Sequence, residues 1–420
     1  MMVKLHVLLI MFWLWVTLDH PAHADPIPNT PVTPGKECSA AERLVVLSGD
    51  DLMPLLGTPV RQLALLKVSP TGLTPIVFQV DRRDAQGRYI VEEADPPASD
   101  GPLLGIHDEL VFVASDAGAR LSDAARRGEA ARLAEVRLDG TPGVPPGWVY
   151  VSSSSEPEPV HSDHYIQYSP ASDMVSSATY QLGFNTRLPF LVDTFQWKTD
   201  DTDGWSPNVL DTMKIRHQGR FLGFIPFKRT HRDYTSRLTA VKAGPLRVIR
   251  RTESRIRLLW HLKTPAVHID YVMMPGGFVM DTVIDIPFNV GLFFDGIETL
   301  TTVDWNEDTA LPRLTIGAPG HSEVAAIDGQ MSSDKHELNL LQANQFVVTS
   351  SLGEMLVSLE IPLGVPITPW LYLRDAQNEA DPPEHRAGQF GNVGFRTTGW
   401  EQINTEVQHV KFTVCLEPAE

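Results

Sequence analysis

Short runs of β-branched and aromatic residues, each broken after a few positions by Gly, Pro or Asp, constrain this chain more than any other feature. The stretches 42–48 (ERLVVLS), 62–68 (QLALLKV), 74–80 (TPIVFQV), 88–92 (RYIVE) and 109–114 (ELVFVA) are of this kind. Side chains on a strand alternate between faces, so such runs pack one face and turn where Gly and Pro fall. The alternation is clearest over 247–260, where Ile256, Leu258 and Trp260 fall on one side and Arg251, Glu253, Arg255 and Arg257 on the other. That pattern predicts a sheet with one packed and one wet face. Further runs at 267–273, 278–286, 345–350, 354–361, 370–373 and 406–414 continue it. No alternation of strands with helix-length segments appears, which excludes a parallel α/β fold. Only 122–138, rich in Ala and Arg, fits a helix, and its latter part, ARLAEVRL, alternates well enough for a strand. Both readings stay open.

The fold class expected is therefore all-β: a small N-terminal β-sandwich over 41–150, followed by a larger antiparallel β-sandwich over 160–420. The Pro-rich segment 139–147 (DGTPGVPPG) and the polar segment 154–164 mark the boundary. A chain of 420 residues exceeds one ordinary core, which favours two domains.

The N-terminus reads as an export signal. Lys4 precedes the apolar run 7–18, and Ala22-His23-Ala24 offers a small-residue cleavage site after Ala24. The run is too short to span a bilayer comfortably, and no later stretch approaches the ~20 apolar residues a spanning helix needs. The mature chain is expected to be periplasmic or secreted, with a Pro-rich lead-in over 25–40 and no transmembrane segment. The two cysteines, Cys38 and Cys415, sit near the two ends of the mature chain. In an oxidising compartment they suggest one disulfide, with two buried free thiols as the alternative.

Charge is unevenly placed. The net charge is −17, yet between Lys214 and Lys263 fourteen Lys and Arg stand against only Asp233 and Glu253. Ten of the fourteen are Arg, whose planar fork suits carboxylate, sulfate or phosphate. Segregation of this kind attracts anions to an otherwise acidic protein. Outside the cytoplasm an acidic polysaccharide is the commonest such ligand; the alternative is a wet sheet face paired with acidic loops. Nucleic acid is excluded as a partner, because the remaining surface repels it.

Within the window, KIRHQGRFLGFIPFKRTHRDY holds the densest chemistry. His217 and His231 can carry protons near neutral pH. Tyr234 joins them if an arginine-rich field lowers its pKa. Arg216, Arg220, Arg229 and Arg232 are the substrate-binding candidates. Together they fit β-elimination on a uronate, which needs a cation on the carboxylate and a base for the adjacent proton. His161, Asp163 and His164 are better read as solvated linker residues than as metal ligands. DDTDG at 200–204 lacks the Glu that closes a calcium loop. No metal or cofactor is expected. Seven tryptophans follow residue 24, among them Trp148, Trp205, Trp260 and Trp370, and these suit either core packing or stacking on sugar rings.

The stretch PIVFQVDRRD at 75–84 with HDELVFVASDAG at 107–118 resembles a segment of exported bacterial β-sandwich proteins of the exo-rhamnogalacturonan lyase-like group. AGPLRVIRR at 243–251 is similar to a strand of their galactose-mutarotase-like supersandwich domain. The resemblance implies a supersandwich fold for the larger domain more than an activity, since such scaffolds host lyases, hydrolases and binders alike. Two function classes follow: an anionic-carbohydrate binder or lyase, and a non-enzymatic envelope protein that is structural or binds other proteins.

Overall fold

The structure, a computed structural model, describes residues 44–91, 101–122, 133–140, 146–153, 164–199, 204–259, 262–285, 289–309, 314–322, 324–380, 388–403 and 407–418. The signal segment, the lead-in with Cys38, His161, Asp163, Trp260 and positions 200–203 lie outside them, as does most of the expected boundary segment. All described residues fall in one compact unit, 35–420.

Seven strands open the chain: β1 (Leu44–Ser48), β2 (Leu63–Ser69), β3 (Gly72–Pro75), β4 (Phe78–Asp81), β5 (Glu109–Val113), β6 (Leu133–Leu138) and β7 (Gly147–Ser153). They form two sheets, ordered β1-β5-β4 and β3-β2-β7-β6. Leu52, Leu63, Leu65, Leu110, Phe112, Val149 and Val151 fill one core with them. The run expected at 74–80 splits in two after Pro75, a residue with no N–H to give a ladder. The expected strand at 88–92 is reduced to one bridge, Tyr89 to Arg83. The described end of 122–138 is strand β6.

The next group is β8 (Ile166–Ser169), β9 (Met174–Ser177), β10 (Tyr180–Phe184) and β11 (Val192–Trp197), one four-stranded sheet. Then come β12 (Leu210–Phe221), β13 (Ile225–Thr230), β14 (Tyr234–Ala243), β15 (Val248–Leu259), β16 (Leu262–Lys263), β17 (Val267–Met274), β18 (Gly277–Asp285) and β19 (Phe294–Trp305). After β20 (Thr315–Gly317) and β21 (Val324–Ala326) lies one short helix, α1 (Ser333–Leu338). The chain ends in β22 (Gln345–Ser350), β23 (Gly353–Glu360), β24 (Thr368–Ala376), β25 (Gln389–Thr398) and β26 (Val407–Pro418).

A five-stranded sheet, β13-β12-β19-β25-β24, faces a ten-stranded one, β14-β15-β17-β18-β26-β23-β22-β20-β21 with β16 beside β15. Every pairing among the described strands is antiparallel, so the all-β sandwich class holds. Their inner faces supply a continuous core that includes Ile215, Ile269, Met280, Leu359, Phe395 and Val414. Burial of such side chains is worth about 1.5–3 kcal/mol each before conformational entropy is counted, which sets the register of both sheets.

Three segments quoted for the resemblance meet at a single joint. The Gln79 side-chain oxygen accepts hydrogen bonds from the backbone of Leu246 (3.1 Å) and Arg247 (2.9 Å). Arg247 pairs with Glu109 at 2.6 Å and with Asp81 at 3.5 Å, and Lys242 reaches Asp81 at 3.0 Å. A Cβ on Gly244 would lie 2.1 Å from the Gln79 oxygen, so a larger residue there would have to displace the Gln79 amide from these bonds. These residues hold β4 and β5 to the hairpin of β14 and β15, an architectural role.

Candidate functional site

The basic window spans five strands in two sheets, not one surface, with β16 and its Lys263 beside β15. β12 and β13 belong to the five-stranded sheet, and β14 and β15 to the ten-stranded one. Eight of its fourteen cations lie against carboxylates. Lys214 meets Asp304 at 2.6 Å with both side chains buried, and Arg251 meets Asp270 at 2.6 Å. Arg250 is held by Asp173, while Arg237 and Arg255 share Glu253. Arg257 meets Asp233 at 2.5 Å, and Lys242 and Arg247 belong to the joint. Of the two readings of the window, an anion site and a sheet face paired with acidic residues, these eight cations follow the second. Strand alternation sends neighbouring cations to opposite faces; five of the eight meet carboxylates from outside the window, and three meet its own Asp233 and Glu253.

The candidate substrate-binding arginines separate accordingly. Arg216 is buried, donates to Thr302 Oγ1 at 2.8 Å and lies 5.6 Å from the centre of the Tyr372 ring. Arg220 and Arg232 are exposed. Arg229 donates to the backbone oxygens of Lys228, Arg257 and Leu258.

Of the proton-carrying candidates, two come together. His217 Nε2 lies 2.7 Å from Tyr234 Oη, and His217 Nδ1 lies 2.9 Å from Thr299 Oγ1. His217 and Thr299 are register partners on β12 and β19, so both point between the sheets, and Tyr234 approaches from the ten-stranded sheet. Phe190 packs on the Tyr234 ring at 4.9 Å. His231 sits in a single helical turn capped by Thr230 and Asp233 and does not line the hollow that holds this relay. Burial pushes the His217 imidazole down to about 4, so the ring is neutral at pH 7. Burial also raises the Tyr234 phenol, which reverses the expected lowering: the arginines are elsewhere and desolvation dominates.

The relay faces a cavity of about 230 Å³ between the two sheets. Ile215, Thr299, Phe395 and Thr397 line it from one sheet, and Ile256, Leu258, Met280 and Phe412 from the other. Among the described residues no Lys or Arg lines it, and their one carboxylate, Asp285, is exposed. A uronate held here would find no cation.

The opposite, outer face of the five-stranded sheet has a different chemistry, which sequence reasoning credited only to single residues. Register places Arg216, Leu300, Arg396 and Trp370 in one row, and Lys214, Thr302, Gly394 and Tyr372 in the next. Gln218 opposite Glu298 forms a third, with a 2.6 Å hydrogen bond. Arg396 lies 5.5 Å from the centre of the Trp370 ring and 3.8 Å from Glu298. Exposed Lys228 and Arg220 continue the face toward β13. Gly394 lies between Thr302 and Tyr372 in that row and is packed closely on its neighbour, since a Cβ there would lie 2.1 Å from the Thr301 backbone oxygen. The signal present in the sequence was the alternation W-L-Y-L-R over 370–374, which puts both aromatics and an arginine on one side.

Among the described residues, no group of three or more His, Cys, Asp or Glu is placed to hold a metal ion. No helix among them is long and apolar enough to cross a membrane.

No protein-family model matches the chain. No curated protein matches it. Among solved structures it is similar to an alpha-mannosidase from Enterococcus faecalis V583, at 11% identity and a TM-score of 0.45, over 90% of this chain and 41% of that one. The chain thus spans less than half the length of that structure.

Proposed function

We propose that this is an exported carbohydrate-binding protein that holds acidic glycans on the outer face of its five-stranded sheet. The observation that carries the reading is the placement of the Trp370 and Tyr372 rings on the same face as the solvent-reaching cations Arg220, Lys228 and Arg396. Aromatic rings pack on the C–H faces of sugars, while guanidinium groups pair with uronate or sulfate oxygens. Arg216, bound beneath to Thr302 and against Tyr372, positions that ring and does not itself reach solvent.

β-Elimination is no part of the proposal. His217 and Tyr234 lie on the inner face, so the sheet itself stands between them and a glycan on the outer one. Export through cleavage after Ala24, and a Cys38–Cys415 disulfide, belong to the same reading. Edman sequencing of the purified protein should begin at Asp25.

A glycan array of the full chain at low salt should show binding to polygalacturonate that weakens at high ionic strength, as screening of exposed charges requires. Trp370→Ala and Arg396→Ala should each weaken it about tenfold, equivalent to about 1.4 kcal/mol. His217→Gln should leave it unchanged, and no unsaturated-uronate absorbance should develop. Binding that survives Trp370→Ala undiminished removes the proposal. The competing reading, a non-enzymatic envelope protein with a protein partner, has in its favour the exposed apolar tip Leu222, Phe224 and Ile225 between β12 and β13. It predicts an array with no acidic glycan bound.

A further inference from the structure

We propose that the cavity between the two sheets is a binding site for a compact, uncharged, largely apolar molecule carrying one hydroxyl group. Its volume of about 230 Å³ is roughly one and a half times that of an engineered protein cavity of about 150 Å³ that holds benzene. A space of this size is not ordinary core packing, because interiors close-pack with few voids larger than a water molecule. Phe227, Ile256, Leu258, Phe294 and Phe412 make most of its wall apolar. The hydrophobic effect therefore favours filling it with carbon and disfavours filling it with water.

The polar side chains of the wall include one connected row, Tyr234 Oη to His217 to Thr299 Oγ1, beside the separate hydroxyl residues Ser254, Thr264, Thr282, Thr301 and Thr397. The imidazole can bridge its two neighbours in either of two tautomers. If Tyr234 donates to Nε2, its oxygen keeps an accepting lone pair; if Nε2 donates to Tyr234, the phenol keeps a free O–H. A ligand hydroxyl both donates and accepts, so either arrangement serves it. A carboxylate is disfavoured: no cation among the described residues lines the cavity, and an unpaired buried anion is costly. This ligand is thus of another class from the acidic glycan of the outer face, and the two sites lie on opposite sides of one sheet.

Equilibrium dialysis of the full chain against 2-naphthol, naphthalene and 2-naphthoate tests the proposal. One 2-naphthol should bind per chain, about tenfold tighter than naphthalene, the worth of a single good hydrogen bond. 2-Naphthoate should not bind measurably. Leu258→Trp, which fills the cavity, should abolish binding of both neutral probes. The double variant His217→Leu/Tyr234→Phe keeps the apolar wall, so it should bind naphthalene and lose the preference for 2-naphthol. No bound 2-naphthol at its solubility limit, or 2-naphthol retained by a folded Leu258→Trp variant, overturns the site. A preference for 2-naphthol that persists in the double variant overturns the role given to the relay. Trp370→Ala should affect none of these results, which keeps failure here distinct from failure of glycan binding.

Discussion

His217 shows how one residue's chemistry is set by its surroundings. In an unfolded chain a histidine titrates near 6.5, whereas in the fold desolvation holds this one near 4. Between those values the unfolded chain takes up a proton that the folded one refuses. Stability is therefore lost as pH falls from about 6.5 toward about 4, by on the order of 3 kcal/mol once both limits are passed. Urea midpoints at pH 7 and pH 4.5 should differ more for the wild type than for His217→Gln, which lacks the titrating ring. Equal differences would assign the acid sensitivity to other groups. Arg216 makes the complementary point. Its sequence neighbours suggested a ligand contact, yet the side chain is buried under Tyr372. Nothing in a local stretch of sequence reveals which side of a sheet is covered.

The elements decide how charges are used. Arginines that look alike in the sequence have different settings once β14 and β15 are paired. Arg237 opposes Glu253 on an exposed face, and ion pairs of that kind contribute under about 1 kcal/mol. Arg247 is buried against Asp81 and Glu109, and removing it takes one of two cations from each, leaving Lys242 on Asp81 and Arg83 on Glu109. Arg247→Met should therefore cost about 1.5–3 kcal/mol in a denaturant titration, the worth of a hydrogen bond to a charged group, against little for Arg237→Met. A small effect at Arg247 would show that the joint is not needed to hold β4 and β5 in place. The strand runs and their alternation were legible because a period of two appears directly in the residue order. The pairing of Gln79 with the 246–247 backbone was not, because 167 residues separate the partners.

At the scale of the whole molecule, the last strand, β26, lies inside the ten-stranded sheet between β18 and β23, with Cys415 buried on it. A bridge from there to Cys38 would close residues 38–415 into one loop. The chain-entropy view puts such a bridge at about 5 kcal/mol as an upper limit. A thiol assay on denatured, unreduced protein should then find no free cysteine, and reduction should lower the urea midpoint. Two reactive thiols would remove the bridge and weaken the case for export. The sequence by itself determined that this chain makes antiparallel sheets, where most strands run, and that its positive charge is concentrated between 214 and 263. Those properties depend on near neighbours and simple periodicity. Only the tertiary structure decided that the window divides between two sheets, that acidic partners meet eight of its fourteen cations, and that His217 faces a largely apolar hollow while Trp370 and Arg396 share the outer surface. Which strand pairs with which is set by burying the two inner faces against each other, a choice made by the whole chain at once.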